Sequence, residues 1–311
     1  MEIAVIGGVA AGTSAAAKAR RKNKDAEIVL FERDDDISYA GCGLPYYISE
    51  VIDGRERVVI NTPDKFANKY NVDVKTGHEV LEINTKDKSL KYKEVNTDKR
   101  GNYDYDKLII TTGASPIMPP ISGIEKENIV PLRTVDDADS IKDIIDKEDL
   151  NNAVIIGAGL IGLEMAESFD EAGLNVTVVE KLPSVLPIIS DEMSELVEDH
   201  LREKGVELVL DDGVSEFKGD KKVESVVTES GNEIEADLVL MSIGVKPNVE
   251  LAKKAGIEIG ETGAIAVNEK METSHDDIYA AGDCAESKDL ISGKAAWVPL
   301  GSTANKQGRT A

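Results

Sequence analysis

The chain has 311 residues, 36 lysines and arginines against 59 aspartates and glutamates, a net charge of −23, and 41% hydrophobic residues. That length suggests about two domains of ~150 residues, and the apolar fraction excludes disorder as the main state. The acidic excess argues against a nucleic-acid partner, and the scarcity of aromatic residues argues against a base-stacking platform.

In chain order, residues 2–7 form a short apolar run, followed by a glycine-rich turn and a small-residue helix at 13–21. That opening reads as a strand and not as a basic leader, so no signal peptide is expected. Residues 26–31 suggest a second strand, closed by Glu32. Residues 73–105 suggest a β-meander with polar turns, and 105–112 a buried strand ending in Thr111-Thr112-Gly113. Pro116, Pro119 and Pro120 mark a linker. The opening pattern then returns, with a strand at 153–156, a glycine turn, a helix at 161–172 and a strand at 176–179 closed by Glu180. The longest uncharged apolar stretch, 153–163, is broken by Glu164 and is too short for a membrane span. A second meander is expected over 206–242, and Gly244-Val245-Lys246-Pro247 marks a second linker.

Each strand–turn–helix–strand unit implies a parallel crossover. The expected fold class is therefore α/β, with two Rossmann-like dinucleotide-binding domains, each carrying a β-meander. The second unit reads as inserted into the first, which places one domain at 1–113 plus 245–311 and the other at 114–244.

The second glycine turn, Gly157-Ala158-Gly159-Leu160-Ile161-Gly162, is the cleaner motif. Its first glycine permits the tight turn, its second lets backbone approach a pyrophosphate, and its third lets helix and strand pack closely. Glu180 follows Gly157 by 23 positions, which suits a ribose 2′-hydroxyl and disfavours a 2′-phosphate. This favours NAD over NADP, although the neighbouring Lys181 weakens the preference. In the first turn, Gly7-Gly8-Val9-Ala10-Ala11-Gly12, Val9 stands where the second glycine belongs. Gly7 and Gly12 keep the turn and packing roles, and Glu32 suits a ribose.

Five further strings stand in one order: Gly41-Cys42-Gly43-Leu44-Pro45-Tyr46, Thr111-Thr112-Gly113-Ala114, Ser242-Ile243-Gly244-Val245-Lys246-Pro247-Asn248, Ile278-Tyr279-Ala280-Ala281-Gly282-Asp283, and Val298-Pro299-Leu300-Gly301-Ser302-Thr303-Ala304-Asn305-Lys306. With the two turns, these make the whole chain resemble the flavin-dependent pyridine nucleotide–disulfide oxidoreductases. Within them it resembles the single-cysteine branch of CoA-disulfide reductases, persulfide reductases and NADH oxidases or peroxidases. The resemblance implies FAD at the first turn and NAD(P)H at the second. It places Glu32 and Arg33, Thr112 and Gly113, Arg133, Asp283, Thr303 and Ala304 around FAD. Glu164, Glu180, Lys181 and Gly244 fall around the nicotinamide nucleotide. Leu160 departs from the tyrosine many relatives carry there.

Cys42 is the expected redox-active residue. Dithiol relatives carry a second cysteine five positions on, where this chain has Tyr47. A lone thiolate still works through a mixed disulfide or sulfenic acid. A helix opening near Leu44, with Pro45 in its first turn, would favour the thiolate. Cys284 reads as structural. Two cysteines form no disulfide framework, which points to the reducing cytoplasm. The three histidines show no metal-ligand spacing.

The resemblance implies hydride transfer from NAD(P)H to flavin and electron transfer on to sulfur. The oxidase and peroxidase branches carry a histidine in the first turn; the corresponding Ala10 favours a disulfide substrate, CoA disulfide first, with CoA held as a mixed disulfide on Cys42. Lys18 and Arg21, three apart on one helix face, together with Ser14 and Ser38, match positions that contact CoA, and Lys69 is a further candidate cation. Gly41 replaces an asparagine common in those reductases. Persulfide or polysulfide reduction, oxidase or peroxidase activity, and reduction of small electron-carrier proteins stand as alternatives. Relatives continue into a C-terminal dimerisation domain. The chain ends at Ala311 inside an expected helix, so the sequence reads as part of a longer homodimeric protein, or as a cofactor-binding fragment with little disulfide turnover.

Overall fold

A computed structural model describes residues 1–147 and 149–311. Its α-helices are α1 (Ala10–Lys22), α2 (Leu44–Ile48), α3 (Pro63–Tyr70), α4 (Val135–Lys147), α5 (Leu160–Glu171), α6 (Asp191–Glu203), α7 (Glu250–Lys254) and α8 (Gly301–Thr310). The chain divides into two compact units. The first comprises Met1–Tyr39, Val59–Ser115 and Pro247–Ala311; the second comprises Ala40–Val58 and Pro116–Lys246.

The first unit is built on a parallel sheet whose strands run, in spatial order, Ile278–Ala280, Lys107–Ile110, Glu2–Ile6, Glu27–Phe31 and Asp73–Lys75. Alternation along its central strand assigns the two faces. Ile3 and Val5 pack with Ala15, Ala16 and Phe66 of α1 and α3. Ala4 and Ile6 pack with Val80, Ile83 and Leu90, which belong to an antiparallel meander, His78–Asn84, Ser89–Glu94 and Arg100–Asp104. Burial on both faces explains why these strands read as continuous apolar runs and not as alternating ones.

The second unit repeats the plan. Its parallel sheet runs Glu207–Val209, Asn175–Val179, Asn152–Ile156, Leu238–Met241 and Ile129–Pro131. Its meander is Val214–Lys218, Ser225–Thr228 and Glu233–Glu235. Phe217, Val223 and Val226 pack on Val154, Ile156, Val239 and Met241 of the sheet.

The structure differs from the sequence reading in two respects. Both meanders are shorter than expected, because Asp73–Lys75 and Glu207–Val209 each join the parallel sheet as an edge strand and Leu238–Met241, expected at the end of the second meander, is an inner strand of the parallel sheet. After Asp73–Lys75, Gly77 at φ +64° breaks the run. The second difference is residues 40–58, expected with the first domain, which belong to the second unit. The reason is α2. Its Leu44, Pro45, Tyr47 and Ile48 are buried, the Ser168 hydroxyl of α5 donates to the Pro45 carbonyl at 3.0 Å, and the Tyr47 hydroxyl donates to Asp139 of α4 at 2.8 Å.

Candidate functional site

The first glycine turn links strand Glu2–Ile6 to α1. Gly7 has φ +102°, and a Cβ on it would lie 2.2 Å from the Thr111 carbonyl oxygen; one on Gly12 would lie 1.8 Å from the Gly7 carbonyl oxygen. Only glycine allows so close a crossing. Glu32, buried at the end of the next strand, accepts from the Gly8 N–H at 2.6 Å and the Asp34 N–H at 3.1 Å. Desolvation raises its pKa, and those backbone donors oppose the rise. The Ser38 N–H donates to the Gly8 carbonyl at 2.9 Å.

The second turn, between Asn152–Ile156 and α5, has the same construction. Gly157 has φ +106°, and a Cβ on Gly162 would lie 2.0 Å from the Gly157 carbonyl oxygen. Buried Glu180 accepts from the Ala158 N–H at 2.7 Å and the Leu182 N–H at 2.9 Å. Gly159 is different, since a Cβ there would meet nothing within 4 Å. The missing side chain therefore leaves open space over the turn, where a pyrophosphate would approach. Leu160 and Ile161 are exposed beside it. Lys181 is paired with Glu229 at 2.9 Å. Burial, and then repulsion from Glu167, raises the pKa of Glu164 on α5.

Two residues that the motif reading gave no role complete the likeness. The Thr111 hydroxyl donates to the carbonyls of Ile6 and Gly7 at 2.7 and 3.0 Å. The Ser242 hydroxyl donates to those of Ile156 and Gly157 at 3.1 and 2.9 Å. Each hydroxyl ties the neighbouring strand to the first glycine. The signal was present in the sequence as a hydroxyl residue two positions before Gly113 and Gly244, both at positive φ.

Helix N-termini carry unsatisfied N–H groups and partial positive charge. Among the described residues, α3, α4 and α6 begin with aspartate or glutamate in the first turn, whereas α1, α5 and α8 have none there and no side-chain cap. The five-residue α2 also begins without an acid, and α1, α5 and α8 are the starts the resemblance assigns to the two nucleotides. Their free amides, with the glycine turns and strand-end carboxylates, fit dinucleotides bound through backbone donors.

The remaining flavin positions of the first unit converge. Gly282, preceding Asp283, has φ +83°, and a Cβ on it would lie 2.8 Å from the Ala11 Cβ. Ala11, Ala281 and Ala304 form one buried cluster, with Thr303 beside it on α8. The Trp297 indole N–H donates to the Asp283 carbonyl at 2.8 Å. Thr112 and Gly113 are pinned to Asn248, whose side chain donates to the Thr112 carbonyl at 2.8 Å and whose N–H donates to the Gly113 carbonyl at 2.9 Å. Exposed Arg33 pairs with Asp34 at 3.5 Å. Arg133 belongs to the second unit, and its N–H donates to Asp137 at 2.9 Å.

Of the proposed CoA contacts, Ser14, Lys18 and Arg21 share one face of α1 by their spacing. The Ser38 hydroxyl accepts from Asn61 at 3.1 Å. Lys69 is exposed, its Nζ 5.1 Å from the Tyr70 ring centroid.

Cys42 is exposed, in a single 3₁₀ turn, Gly41–Gly43, that runs into α2 of the second unit. Cys284 is fully buried, its thiol directed at the carbonyls of Ala281 and Ile110 at 3.4 and 3.5 Å, and burial pushes its pKa up. The two cysteines thus divide into a reachable sulfur and an inert one. No group of three or more His, Cys, Asp or Glu among the described residues is placed to hold a metal ion, and no described helix is long and apolar enough to cross a membrane.

Fold and site together define a chain with two dinucleotide-type glycine turns, each behind its own parallel sheet, and a single accessible cysteine. Residues 1–308 match the pyridine nucleotide-disulphide oxidoreductase family, and the chain belongs to it. That family uses FAD and NAD(P)H. The chain is 39% identical to an NADH oxidase of Methanocaldococcus jannaschii, over all of this chain and 69% of that protein. Its structure superposes on reduced CoADR-RHD of Bacillus anthracis with a TM-score of 0.97 and 42% identity, covering 99% of this chain and 55% of that one. It superposes on an NAD-dependent persulfide reductase of A. fulgidus with a TM-score of 0.96 and 41% identity, covering 100% and 58%. The chain therefore spans little more than half the length of those two solved proteins.

Proposed function

We propose that the chain carries the cofactor-binding and cysteine-bearing part of an NAD(P)H-dependent reductase of small disulfides, with CoA disulfide as the favoured substrate. The observation that carries this reading is Cys42: it is exposed, with no partner cysteine, because Tyr47 occupies the fifth position after it and Cys284 is buried. Ala10 in the first turn favours a disulfide over peroxide, since it supplies no acid or base for a sulfenic acid. Likeness to CoADR-RHD supports CoA as the thiol.

In this reading the Cys42 thiolate attacks one sulfur of the disulfide. A Cys42–sulfur bond forms, the substrate S–S bond breaks, and the first thiol leaves with a proton from solvent. Two electrons and a second proton then split the mixed disulfide, releasing the second thiol and restoring the Cys42 thiolate. The net change is NAD(P)H, a proton and a disulfide to NAD(P)⁺ and two thiols. FAD, held by the first unit through the 7–12 turn, Glu32, Thr112, Gly113, Asp283, Thr303 and Ala304, would supply the two-electron relay. The second unit holds the nicotinamide nucleotide through the 157–162 turn and Glu180. NADH is favoured, because Glu180 closes the strand next to the turn and Lys181 is engaged by Glu229. The local cations Lys18 and Arg21 supply the positive charge that CoA phosphates need on so acidic a protein.

The test is Cys42→Ser. The variant is expected to retain bound FAD and NADH-to-dye reduction while losing CoA-disulfide reduction. Undiminished NADH-dependent disulfide turnover would refute the reading. The intact mass of the unreduced protein identifies the acceptor: a reductant-sensitive CoA adduct on Cys42 supports CoA disulfide, one or two extra sulfurs support persulfide chemistry, and oxygen supports the oxidase alternative.

A further inference from the structure

The turn that carries Cys42 is short and exposed, and it leads into a helix of only five residues. A helix that short has no independent stability, so its position must be fixed from outside. The second unit supplies that fixation through Tyr47, which is 9% exposed. Its hydroxyl donates to Asp139 Oδ1 at 2.8 Å, and Asp139 Oδ2 accepts from Arg55 Nε at the same distance. Arg55 also pairs with Asp136 at 3.6 Å. Both carboxylates lie on α4, while Tyr47 lies in α2 and Arg55 eight positions further along the segment that leaves the cysteine turn. Lys142, one turn further along α4, reaches Glu50 at 3.0 Å and sits 5.3 Å from the Tyr47 ring centroid. Desolvation, and then the bond to Asp139, pushes the Tyr47 hydroxyl pKa up to about 12, so it remains a donor throughout the neutral range.

We propose that Tyr47, Asp139 and Arg55 form a positioning device that holds the Cys42 turn against α4 for its reaction with the disulfide. The inference rests on the proposed sulfur chemistry of Cys42 and adds residues to it. They act through the short stretch of chain between Cys42 and Tyr47. An aspartate shared between a phenol and a guanidinium fixes both distance and direction. An apolar side chain at position 47 would bury comparable surface with no preferred rotation of α2. Misplacing a reacting group by about 1 Å costs on the order of a hundredfold in rate, so a network distant in sequence can govern the step.

Tyr47→Phe removes one hydroxyl and keeps the packing, and Asp139→Asn keeps the shape and removes the charge. Two quantities are read on both variants beside the unaltered chain. One is the ratio of CoA-disulfide turnover to NADH-to-dye turnover; the other is amide hydrogen exchange across residues 41–50, with residues 152–156 as an internal reference. The expected result is a fall of about tenfold or more in the ratio, with faster exchange confined to 41–50. A general loss of structure would instead speed exchange in the reference strand as well and lower both turnovers together, and it would overturn the proposal. So would an unaltered ratio with unaltered exchange in both variants. If the unaltered chain reduces no CoA disulfide, the functional reading fails by itself. Exchange then decides the anchoring: faster exchange over 41–50 in Tyr47→Phe upholds the device, and unchanged exchange overturns it.

Discussion

Single residues in the two turns have separable consequences, although they belong to the same motif. A methyl group on Gly12 would press into the Gly7 carbonyl and stand 2.7 Å from the Thr111 hydroxyl, so Gly12→Ala must displace α1 from its strand. On Gly159 the same methyl group meets no protein atom, and the residue has an ordinary φ of −78°. Gly12→Ala is therefore expected to destabilise the fold by about 1–3 kcal/mol, the usual range for overpacking, and to lose FAD. Gly159→Ala is expected to melt as the unaltered chain does and to bind NADH about tenfold more weakly, its methyl group intruding only when the pyrophosphate approaches. Melting curves and nucleotide titrations of the two variants check this; equal melting loss in both would show that Gly159 serves packing. The tight glycine turns, and the placement of Glu32 and Glu180 at the ends of the following strands, were legible in the sequence because the spacing within a strand–turn–helix–strand unit is stereotyped. Thr111 and Ser242 were not assigned, since a hydroxyl about a hundred residues from its acceptor is recognisable only once the strands are adjacent.

At the scale of elements, α8 shows how much a short helix can organise. Gly308 allows it to lie against α1, where a Cβ would stand 2.2 Å from the Ala11 carbonyl oxygen. The buried Gln307 accepts from the Gly282 N–H at 2.8 Å and donates to the Glu286 carbonyl at 3.0 Å and the Ser287 hydroxyl at 2.9 Å. Gln307 thus joins the helix bearing Thr303 and Ala304 to the turn bearing Asp283. Gln307→Leu would leave the Gly282 N–H buried without an acceptor, at a cost of about 2–3 kcal/mol. The expected outcome is a lower urea midpoint at unchanged slope, together with weaker FAD binding; a wild-type midpoint would mean that the turn finds another acceptor. The two strand–turn–helix–strand units were readable from sequence to within a few residues, because apolar runs and glycine turns are local, whereas α3, α4, α6 and α7 were not assigned. The edge strands Asp73–Lys75 and Glu207–Val209 were folded into the expected meanders, since three residues carry too little pattern to reveal which sheet they join. The allegiance of α2 was misread for a related reason: the pairing of Tyr47 with Asp139 spans 92 positions.

The whole molecule presents an electrostatic problem, in that a chain of net charge −23 must bind polyanionic cofactors. Surface charges more than about 8 Å away are largely screened at physiological salt, whereas backbone amides act at hydrogen-bond distance. Acid-free starts at α1, α5 and α8 let the protein keep its acidic surface and still offer anion sites. Because the same device occurs in both units, each behind its own parallel sheet, the two nucleotides should leave separate footprints. FAD added to apoprotein is expected to slow amide exchange at residues 8–13 and in α8. NAD⁺ is expected to slow it at 158–163 and around Glu180. A ligand at a hundred times its dissociation constant stabilises the state it binds by about 2.7 kcal/mol, roughly a hundredfold slowing for amides that exchange through global opening of that unit. Hydrogen exchange read by mass spectrometry at peptide resolution distinguishes the cases. Protection of 8–13 by NAD⁺, or of 158–163 by FAD, would reverse the assignment of the two turns. Protection of both by either nucleotide would mean that opening of the two units is coupled, so that the footprints report shared stability and not the site of binding.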